Sequence, residues 1–332
     1  MEQPMKFHAS VVVPTFKRPV LLDRCLAALM AQEFDSTAYE VIIVDDADCD
    51  NTKRQVECWR ERVKPCGHTL RYIPVTGSQS SHGPAAARNI GWRAAHGEII
   101  AFTDDDCIPT PGWLKTGVAA FSDDVVAVSG RVIVPLSCTP TDYEYNAAML
   151  EHSEFVTASS FYRRDALMQV NGFDERFTAA WREDTDLFFT LLKCDLKCIY
   201  VPEASVIHPV RPARWGISLS QQRKSEFNAL LYKKHPALYR QRVQAAPPWH
   251  YYYILGALLL TFLGVLRKSR LLALCGFGLW LSMTGHFCAQ RLRYTTHAPG
   301  HVAEMSVTSL LIPPLAVFWR LRGMIKFRVF FL

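Results

Sequence analysis

Short apolar runs alternate with amphipathic stretches along the first part of the chain. Strands are predicted from runs of β-branched and aromatic residues at 9–13, 39–44, 70–73 and 99–102. The predicted helices between them begin at Pro19, Asp48 and Pro84, and a loop of small and polar residues, 77–83, precedes the last one. Strands and helices that alternate at this length predict an α/β fold, with a mostly parallel sheet and helices on both faces.

The pattern continues less regularly after the fourth strand. Further strands are predicted at 125–134 and 155–162. The polar and aromatic segment between them, 139–154, is predicted to be a mobile loop. A helix that follows the second of these strands should end at Asn171 and Gly172, since Asn and Gly are common at helix C-termini. The first domain is therefore expected to continue well past its first four strands.

The fourth predicted strand runs directly into Asp104, Asp105 and Asp106. Ligands of open α/β sheets bind just past the carboxyl ends of such strands. Three adjacent carboxylates repel one another unless a cation neutralises them. Asp104 and Asp106 could both reach a hard divalent ion that also binds phosphate oxygens. The alternative for an isolated run of this kind is a solvated acidic turn or a helix N-cap.

Other polar residues occupy comparable positions in the first domain. Asp45 ends the second predicted strand, where its carboxylate could accept hydrogen bonds from a base imide or from ribose hydroxyls. Arg88 and Asn89 lie in the first turns of the helix from Pro84, where they either contact phosphate or ribose or hold that helix to the sheet. The chain lacks GxGxxG and the P-loop pattern, which argues against dinucleotide-binding and P-loop enzymes.

The charge of the chain is distributed unevenly. Of its 332 residues, those from 211 onward hold 17 Lys and Arg against only Glu226 and Glu304, a net charge of +15. Residues 1–210 carry −9, so that the whole chain has +6. The basic part is also the most apolar, with Leu, Phe, Trp and Tyr runs between the basic clusters, which favours an anionic membrane surface over nucleic acid as its partner. No nucleic-acid partner is expected.

The ten cysteines are scattered and contain no CxxC pair, so they give little support for a zinc site. Buried, reduced thiols in a cytosolic compartment are the simpler interpretation. The N-terminal segment MEQPMKFHAS has no basic stretch followed by an apolar run, as a signal peptide would. The first domain is therefore expected in the cytoplasm.

Five segments carry information when they are taken together and in order. They are VVVPTFKRP, VIIVDDA, AAARNIGWRAAHGEIIAFTDDDCIP, FYRRDALMQVNGFDERF and REDTDLFF. In this order and spacing they resemble the family 2 glycosyltransferases of the GT-A fold, over roughly residues 8–235. The resemblance argues against a solvated turn at the three aspartates. It implies a glycosyltransferase that uses a nucleotide-sugar donor.

The resemblance also implies roles for particular residues. Those implied in nucleotide-sugar binding are Pro14, Thr15, Arg18, Asp45, Arg88, Asn89, Asp104 and Asp105. The carboxylates of Asp104 and Asp106 are implied to bind a divalent metal, Mg²⁺ or Mn²⁺, on the diphosphate of the donor. His208, after another short strand, resembles a histidine that some GT-A enzymes use as a further metal ligand. A hydrogen-bonded structural role is the alternative for such a histidine.

The segment REDTDLFF matches the ED motif of the family. The match implies that Asp184 is the general base, with Glu183 orienting it or binding the acceptor. Asp186 is interpreted as a structural acid, because carboxylates are favoured at helix N-termini by the helix dipole alone. The family's GGFDE turn is present with Asn171 in place of its first Gly, a mild departure because Asn tolerates positive φ. The QxxRW pattern of processive polysaccharide synthases is not found after 217, which favours transfer of a single sugar.

Three apolar runs follow His250, at 251–266, 271–289 and 306–319, the last interrupted by two prolines. A membrane span needs about 20 apolar residues, so that the second run is adequate and the first marginal. If both cross, the basic residues 267–270 lie on the outer side, against the positive-inside preference. A shallow hairpin or interfacial helices would keep these charges inside. Membrane attachment is expected, with the number of crossings left open.

These observations predict a GT-A catalytic domain, 1–245, and a membrane-associated helical region, 246–332. The expected function is that of an inverting, metal-dependent glycosyltransferase of cell-envelope glycan synthesis. It would add a single sugar to a lipid-linked or glycan acceptor at the membrane, the inner membrane if the source is bacterial. The alternatives are a nucleotidyltransferase on a similar sheet, whose Gly-rich basic loop is not found, and a catalytically silent membrane scaffold, which the intact acidic motifs disfavour.

Overall fold

The computed structural model describes residues 7–76 and 82–331, so the predicted loop at 77–83 lies mostly outside the described residues. The chain forms two compact units. The first runs to residue 135 and resumes over 149–209, and the second comprises 136–148 and the chain from 210. The predicted division into a catalytic domain, 1–245, and a membrane-associated region, 246–332, stays a prediction.

The first unit is built on an eight-stranded sheet. Its strands are β1 Ala9–Thr15, β2 Tyr39–Asp45, β3 Thr69–Pro74, β4 Ile99–Phe102, β5 Ile108–Pro109, β6 Val125–Ile133, β7 Ser160–Arg163 and β8 Lys197–Ile207. They lie in the order β3-β2-β1-β4-β7-β6-β8-β5. The pairs among β3, β2, β1 and β4 and the pair β6–β8 are parallel, whereas β7 is antiparallel to both neighbours and β5 to β8. The predicted α/β class is confirmed.

The helices of both units follow here in chain order. They are α1 Pro19–Met30, α2 Asp50–Val63, α3 Pro84–Ala94, α4 Trp113–Ala119, α5 Asp142–Ala148, α6 Arg164–Val170, α7 Glu183–Lys193, α8 Ile217–Gln221, α9 Glu226–Lys234, α10 Pro236–Leu238, α11 Trp249–Leu266, α12 Arg270–Leu292 and α13 Pro299–Phe327. Of these, α5 and α8 to α13 belong to the second unit.

The first strands and helices place the polar residues of the sheet edge. The side chains of β2 are buried along its whole length, as expected of a central strand. Helix α3 starts with Pro84 and packs directly on β1. The approach is close enough that a β-carbon at Gly91 would come within 2.3 Å of Val12 Cγ1. The close approach fixes the start of α3 beside the carboxyl ends of the strands, where Arg88 and Asn89 lie.

Helix α6 ends as its sequence predicts. Asn171 follows it with φ of 61° and Gly172 with φ of 67°. The amide of Gly172 donates to the carbonyl of Leu167 at 2.9 Å, as in a Schellman-type cap. A β-carbon at Gly172 would lie 2.5 Å from Asn89 Oδ1, so this turn must approach α3 closely.

One prediction about local structure was wrong. The segment predicted as a mobile loop, 139–154, contains α5, followed by a 3₁₀ turn at Met149–His152. Thr141 and Glu144 form a capping box there: the Thr141 amide donates to the Glu144 carboxylate at 2.7 Å, and the Glu144 amide to Thr141 Oγ1 at 3.3 Å. The third apolar run is not broken by its prolines, because α13 continues through Pro313 and Pro314.

The second unit consists of helices, three of which are long and apolar enough to cross a membrane. They are α11, α12 and α13, with 18, 23 and 29 residues. The share of their most apolar stretch that is buried inside the protein is 17%, 11% and 39%, so α13 has more protein around it than the other two. The predicted apolar C-terminal helices are confirmed; their relation to a bilayer is treated below.

Candidate active site

The three aspartates after β4 have different surroundings. The amide of Cys107 donates to the carbonyl of Asp104 at 3.0 Å and closes a tight turn through them. The side chain of Asp104 is 27% exposed, whereas those of Asp105 and Asp106 are nearly buried. One turn therefore directs its carboxylates to different partners.

The carboxylate of Asp105 is held by the end of β1 and the start of α1. It accepts a hydrogen bond from Thr15 Oγ1 at 2.7 Å and from the Arg18 guanidinium at 3.1 Å. Burial raises the pKa of Asp105 to about 6, although Arg18 and Thr15 oppose the rise. Pro14, also predicted to hold the nucleotide, is partly exposed in β1 beside Thr15. The structure thus brings these residues together at one edge of the sheet.

Asp104, Asp106 and His208 meet as the metal prediction requires. Their ligand atoms and the sulfur of Cys107 all lie within 4.8 Å of one another. His208 follows β8, with Nε2 3.5 Å from Asp106 Oδ1, and its buried Nδ1 has no hydrogen-bond partner in the described chain. Two carboxylates and an imidazole fit a divalent cation such as Mn²⁺ or Mg²⁺.

Cys107 is the residue of this cluster that sequence reasoning missed, although it directly follows the aspartates. Burial, followed by the charges of Asp104 and Asp106, raises its pKa well above the usual range. A neutral thiol is a poor ligand for a hard cation. Cys107 therefore lines the cluster, and the carboxylate oxygens and the imidazole are better ligands for such a cation.

Asp45 ends β2 beside Thr15 and is completely buried. Its carboxylate accepts hydrogen bonds from the amides of Ala47 and Cys49, at 3.0 and 2.8 Å, and from the Tyr72 hydroxyl at 2.9 Å. These bonds fix the turn after β2. The predicted contact of Asp45 with the nucleotide base stays a prediction, and Tyr72 on the neighbouring strand is a contact that the sequence did not reveal.

Arg88 joins two acidic clusters that lie far apart in sequence. Its guanidinium is almost completely buried and donates to Asp104 Oδ1 at 2.7 Å and to Glu183 Oε1 at 3.0 Å. Burial acts against the charge of Arg88, but Asp104 and Glu183 raise its pKa further above the ordinary value. A buried guanidinium between two carboxylates holds both in place and offsets part of their charge.

The side chain of Asn89, the next residue, forms its hydrogen bonds within the protein. Its Nδ2 donates to the Phe173 carbonyl at 2.8 Å and to Glu175 at 2.9 Å. Its Oδ1 accepts from Trp92 Nε1 at 2.8 Å and from the Phe173 amide at 2.9 Å. The bonds to Phe173 and Glu175 hold the turn after α6 against α3, and the bond from Trp92 lies within α3. They favour the structural alternative for Asn89, whereas the predicted donor contact stays a prediction.

Glu183 and Asp184 open α7 in different environments. Glu183 is buried, and its second oxygen accepts from the Trp181 amide at 2.7 Å. Asp184 is only partly buried, and both hydrogen bonds it accepts, from the amide and the hydroxyl of Thr185, go to Oδ1. Arg182, just before them, has φ of 77°, a strained conformation for a side chain other than Gly.

Burial is the largest influence on both acids. It raises the pKa of Glu183, and the charge of Asp184 raises it further, against the opposing effect of Arg88. Burial likewise raises the pKa of Asp184, against hydrogen bonds from Thr185 and the charges of Arg88 and Arg182. A carboxylate with a raised pKa is a stronger base, which suits proton abstraction near neutral pH. Asp186 is buried in the same first turn, in agreement with a structural role.

Two family models match the chain. One, described as glycosyl transferase family 2, matches residues 10–183, and the other, glycosyl transferase family group 2, matches residues 99–321. Together they include both acidic clusters, His208 and most of the second unit.

The chain is also similar to curated proteins. It is 25% identical to the glycosyltransferase AglE of Haloferax volcanii over 218 residues, which are 61% of this chain and 67% of that protein. It is 34% identical to the pre-mycofactocin glycosyltransferase of Mycobacterium tuberculosis over 155 residues, 42% of this chain. That match spans only 33% of the relative's length.

A solved structure with a similar fold is the mannosyltransferase PcManGT from Pyrobaculum calidifontis, in complex with GDP-Man and Mn²⁺. The likeness covers 98% of this chain and 91% of that one, with a TM-score of 0.55 and 19% sequence identity. At this identity the likeness shows a common fold.

Proposed function

Because the chain belongs to glycosyl transferase family 2 and is a glycosyltransferase, we propose that it transfers a single sugar, with inversion, from a nucleotide-diphosphate sugar to a lipid-linked or membrane-proximal acceptor. The observation that carries the proposal is the meeting of two acidic clusters at one edge of the sheet. Arg88 contacts both: Asp104 in the first cluster and Glu183 in the second. A donor-binding cluster and a base must lie this close for direct transfer.

The donor side would use the groups around the three aspartates. Asp104, Asp106 and His208 would hold a divalent ion, which when bound neutralises charge on the leaving nucleoside diphosphate. Arg18, whose side chain is 39% exposed, offers a positive charge beside the same turn. PcManGT, which was solved with GDP-Man and Mn²⁺, supports a nucleotide-sugar donor for the fold, whereas the sugar and the base of this enzyme's donor stay open.

The acceptor side would use Asp184. Its Oδ2 has no hydrogen bond within the described chain, so that oxygen is able to accept a proton from an acceptor hydroxyl. Glu183 would hold the start of α7 in place through Arg88 and the Trp181 amide. A polyprenyl phosphate acceptor is already ionised and would need the base less. The apolar helices of the second unit favour an acceptor at the membrane.

The test is a thermal-shift screen of UDP-, GDP- and dTDP-sugars with Mn²⁺ and Mg²⁺ on the detergent-solubilised full-length protein, followed by hydrolysis assays. One donor class should raise the melting temperature, and EDTA should remove the effect. Asp106→Asn should remove the metal-dependent shift, whereas Asp123→Asn, at an exposed loop position, should keep it. A full shift in EDTA, or in Asp106→Asn, would contradict the metal site, and no response to any donor would contradict the proposed donor class.

A nucleotidyltransferase would release pyrophosphate instead of a nucleoside diphosphate, so product analysis separates the two activities. Family membership supports glycosyl transfer. The intact acidic clusters argue against a catalytically silent scaffold. Hydrolysis of any nucleotide sugar by the wild-type protein would exclude a silent scaffold.

A further inference from the structure

Helices α11 and α12 form an antiparallel hairpin that is closed along its length. Near its turn, a β-carbon at Gly264 would lie 2.3 Å from the Ala273 nitrogen, so the two backbones are almost in contact. At its open end the rings of Tyr251 and Phe287 lie 5.6 Å apart. Close approach through small residues is how helices associate in lipid, where the hydrophobic effect does not drive them together.

The outward faces of this hairpin are apolar on all sides. No charged residue occurs between 251 and 266 or between 271 and 289. Large side chains point away from the protein: Val265 is 63% exposed and Leu274 is 70% exposed. A helix that lies in the membrane surface needs a polar face toward water, and neither helix has one. These apolar outward faces fit a hairpin that is surrounded by the hydrocarbon of a bilayer.

The lengths of the two helices match a bilayer. With a rise of about 1.5 Å per residue, the 18 residues of α11 and the 23 of α12 span about 27 and 34 Å, and the hydrocarbon core is about 30 Å thick. A shallow hairpin would leave much of this apolar surface in water. Trp249, which is 45% exposed, and Tyr253, which is 59% exposed, begin α11 as the aromatic residues of a membrane interface do.

Helix α13 differs from the other two. Its uncharged stretch is limited by Glu304 and Arg320 and contains 15 residues, about 22 Å in a helix. That length is shorter than the hydrocarbon core. A third crossing would bring at least one charged end into the bilayer.

Helix α13 is also attached at both ends to a polar segment, 216–226. Glu304 accepts a hydrogen bond from the Gly216 amide at 2.7 Å, and Lys326 donates to Glu226 at 2.9 Å. A β-carbon at Gly323 would lie 2.5 Å from the Glu226 carbonyl, so the contact at this end is close. A segment with the sequence GISLSQQRKSE would be costly in hydrocarbon.

The middle of α13 contacts the open end of the hairpin. Arg291, in the last turn of α12, donates to Thr308 Oγ1 at 2.7 Å and to Ser309 Oγ at 3.1 Å. The same guanidinium donates to Asp142 of α5 at 2.7 Å. These polar contacts mark the open end of the hairpin as the end that lies outside the hydrocarbon.

From these observations we propose that α11 and α12 cross the bilayer as a two-helix transmembrane hairpin, whose turn at 267–269 emerges on the far side, while α13 lies at the near surface. The inference deepens the membrane association of the proposed function and rests on it. Both ends of the hairpin then lie on the same side of the bilayer as α13 and segment 216–226.

The charge distribution agrees with this orientation. Of the 17 Lys and Arg from residue 211 onward, three flank or form the turn, namely Arg267, Lys268 and Arg270, and the other 14 lie on the near side. The positive-inside preference is a bias between the two sides, and it points the open end toward the cytosol. The three basic residues would meet the headgroups of the far leaflet.

Thiol labelling in intact membranes tests the topology. The full-length Lys268→Cys variant is labelled with a membrane-impermeant maleimide in bacterial spheroplasts and in inverted vesicles, and mass spectrometry reads the label on each cysteine. We expect the Lys268→Cys thiol to react in spheroplasts and to be protected in inverted vesicles. The native Cys58 and Cys66, exposed in the first unit, report the catalytic side and should show the reverse.

Labelling of the Lys268→Cys thiol from the same side as Cys58 would overturn the crossing, as would recovery of the protein in the supernatant of an alkaline wash. Arg328→Cys, just past α13, should react from the side of Cys58, and reaction from the far side would make α13 a third span. Because labelling needs no donor or acceptor, these outcomes are independent of whether the proposed transfer reaction is found.

Discussion

Arg88 donates to Asp104 and to Glu183, so a change at this one residue alters both acidic clusters. Each carboxylate is fixed by a charge-assisted hydrogen bond in a water-poor site, where such bonds are strong. The two carboxylates explain why α3 carries a buried arginine.

Arg88→Lys keeps the charge but loses the two-pronged geometry, because an ammonium cannot replace the planar guanidinium between two acceptors. We expect turnover to fall at least about tenfold, with a melting temperature lower by a few degrees. Arg93→Lys on the same helix is the control, since Arg93 is 45% exposed and pairs with Glu175 at 3.5 Å. Equal activity in Arg88→Lys and wild type would show that the bridge has no catalytic importance.

Asp184→Asn preserves shape and removes the basic oxygen. With a hydroxyl acceptor, kcat should fall by about 10²–10⁴-fold while donor affinity is little changed. Because the pKa of Asp184 is raised by burial, wild-type activity should increase with pH as the acid loses its proton, and this limb should be lost in the variant. Steady-state rates over pH 5–9 measure both effects.

A small loss of activity in Asp184→Asn would indicate an acceptor that is already anionic, such as a polyprenyl phosphate. Thr185→Ser, which keeps the hydroxyl next to Asp184, serves as the control and should retain the pH profile. An unchanged rate with a demonstrated hydroxyl acceptor would remove Asp184 from the mechanism.

The sequence predicts those residues whose role is visible in a local pattern. Asp104 and Asp106 follow an apolar strand, which predicts a site at the sheet edge, whereas the role of His208 was implied by the family resemblance. The contact of Arg88 with Glu183 joins residues 95 positions apart, and no periodicity or turn signal reports such a pair. Tyr72 of β3 donates to Asp45 of the adjacent strand β2, a pair 27 positions apart that was missed for the same reason.

At the scale of the elements, a buried polar group connects the beginnings of β1 and β2 with the end of α3. Glu40 accepts hydrogen bonds from Ser10 at 2.8 Å, from Arg71 at 2.7 Å and from the His96 amide at 2.6 Å. Burial raises the pKa of Glu40, but these donors outweigh burial and the net pKa is lowered. Since α3 also carries Arg88, this group helps to hold the site from the opposite end of the helix.

Glu40→Gln should lower stability at neutral pH by about 2–3 kcal/mol, since a charged acceptor with several donors is lost. The melting temperature should then fall by about 5–10 °C. A lowered folded pKa contributes stability above the unfolded pKa and loses it as pH falls, so the difference should shrink toward pH 3. Asp124→Asn, in the exposed pair with Lys197, should leave thermal unfolding nearly unchanged. A gap between Glu40→Gln and wild type that is constant over pH 3–7 would contradict this account.

The error in predicting an element has a local cause. The capping box of Thr141 and Glu144 was readable as a helix start, but the polar and aromatic composition of 139–154 led to the prediction of a loop. Pro313 and Pro314 interrupt the apolar run in the sequence, yet α13 continues through them, and Ile312 and Ala316 on either side are buried. In both segments tertiary contacts and capping outweigh composition.

At the scale of the whole molecule, the charge asymmetry of the sequence has a structural counterpart. The second unit is net basic and contains the three apolar helices, whereas the first unit is net acidic, and the second unit includes α5, a segment from the middle of the chain. Composition alone predicted the apolar C-terminal helices. It could not separate α13 from the hairpin, because that distinction depends on what Glu304 and Lys326 contact.

The last prediction separates the role of the hairpin from that of α13. Replacing 254–284 by a short Gly/Ser linker is sterically feasible, because the two helices are already adjacent at Tyr251 and Phe287. This variant keeps α13 on α9 and should remain in the supernatant without detergent while it binds the donor. Truncation after Gln244 removes α13 as well, exposes apolar α9 residues such as Phe227 and leaves Glu226 without Lys326, so that it should aggregate. Sedimentation measures the solubility of the two variants, and donor-induced thermal shift measures their donor binding. If the Gly/Ser linker variant still requires detergent, the membrane contact belongs to α13.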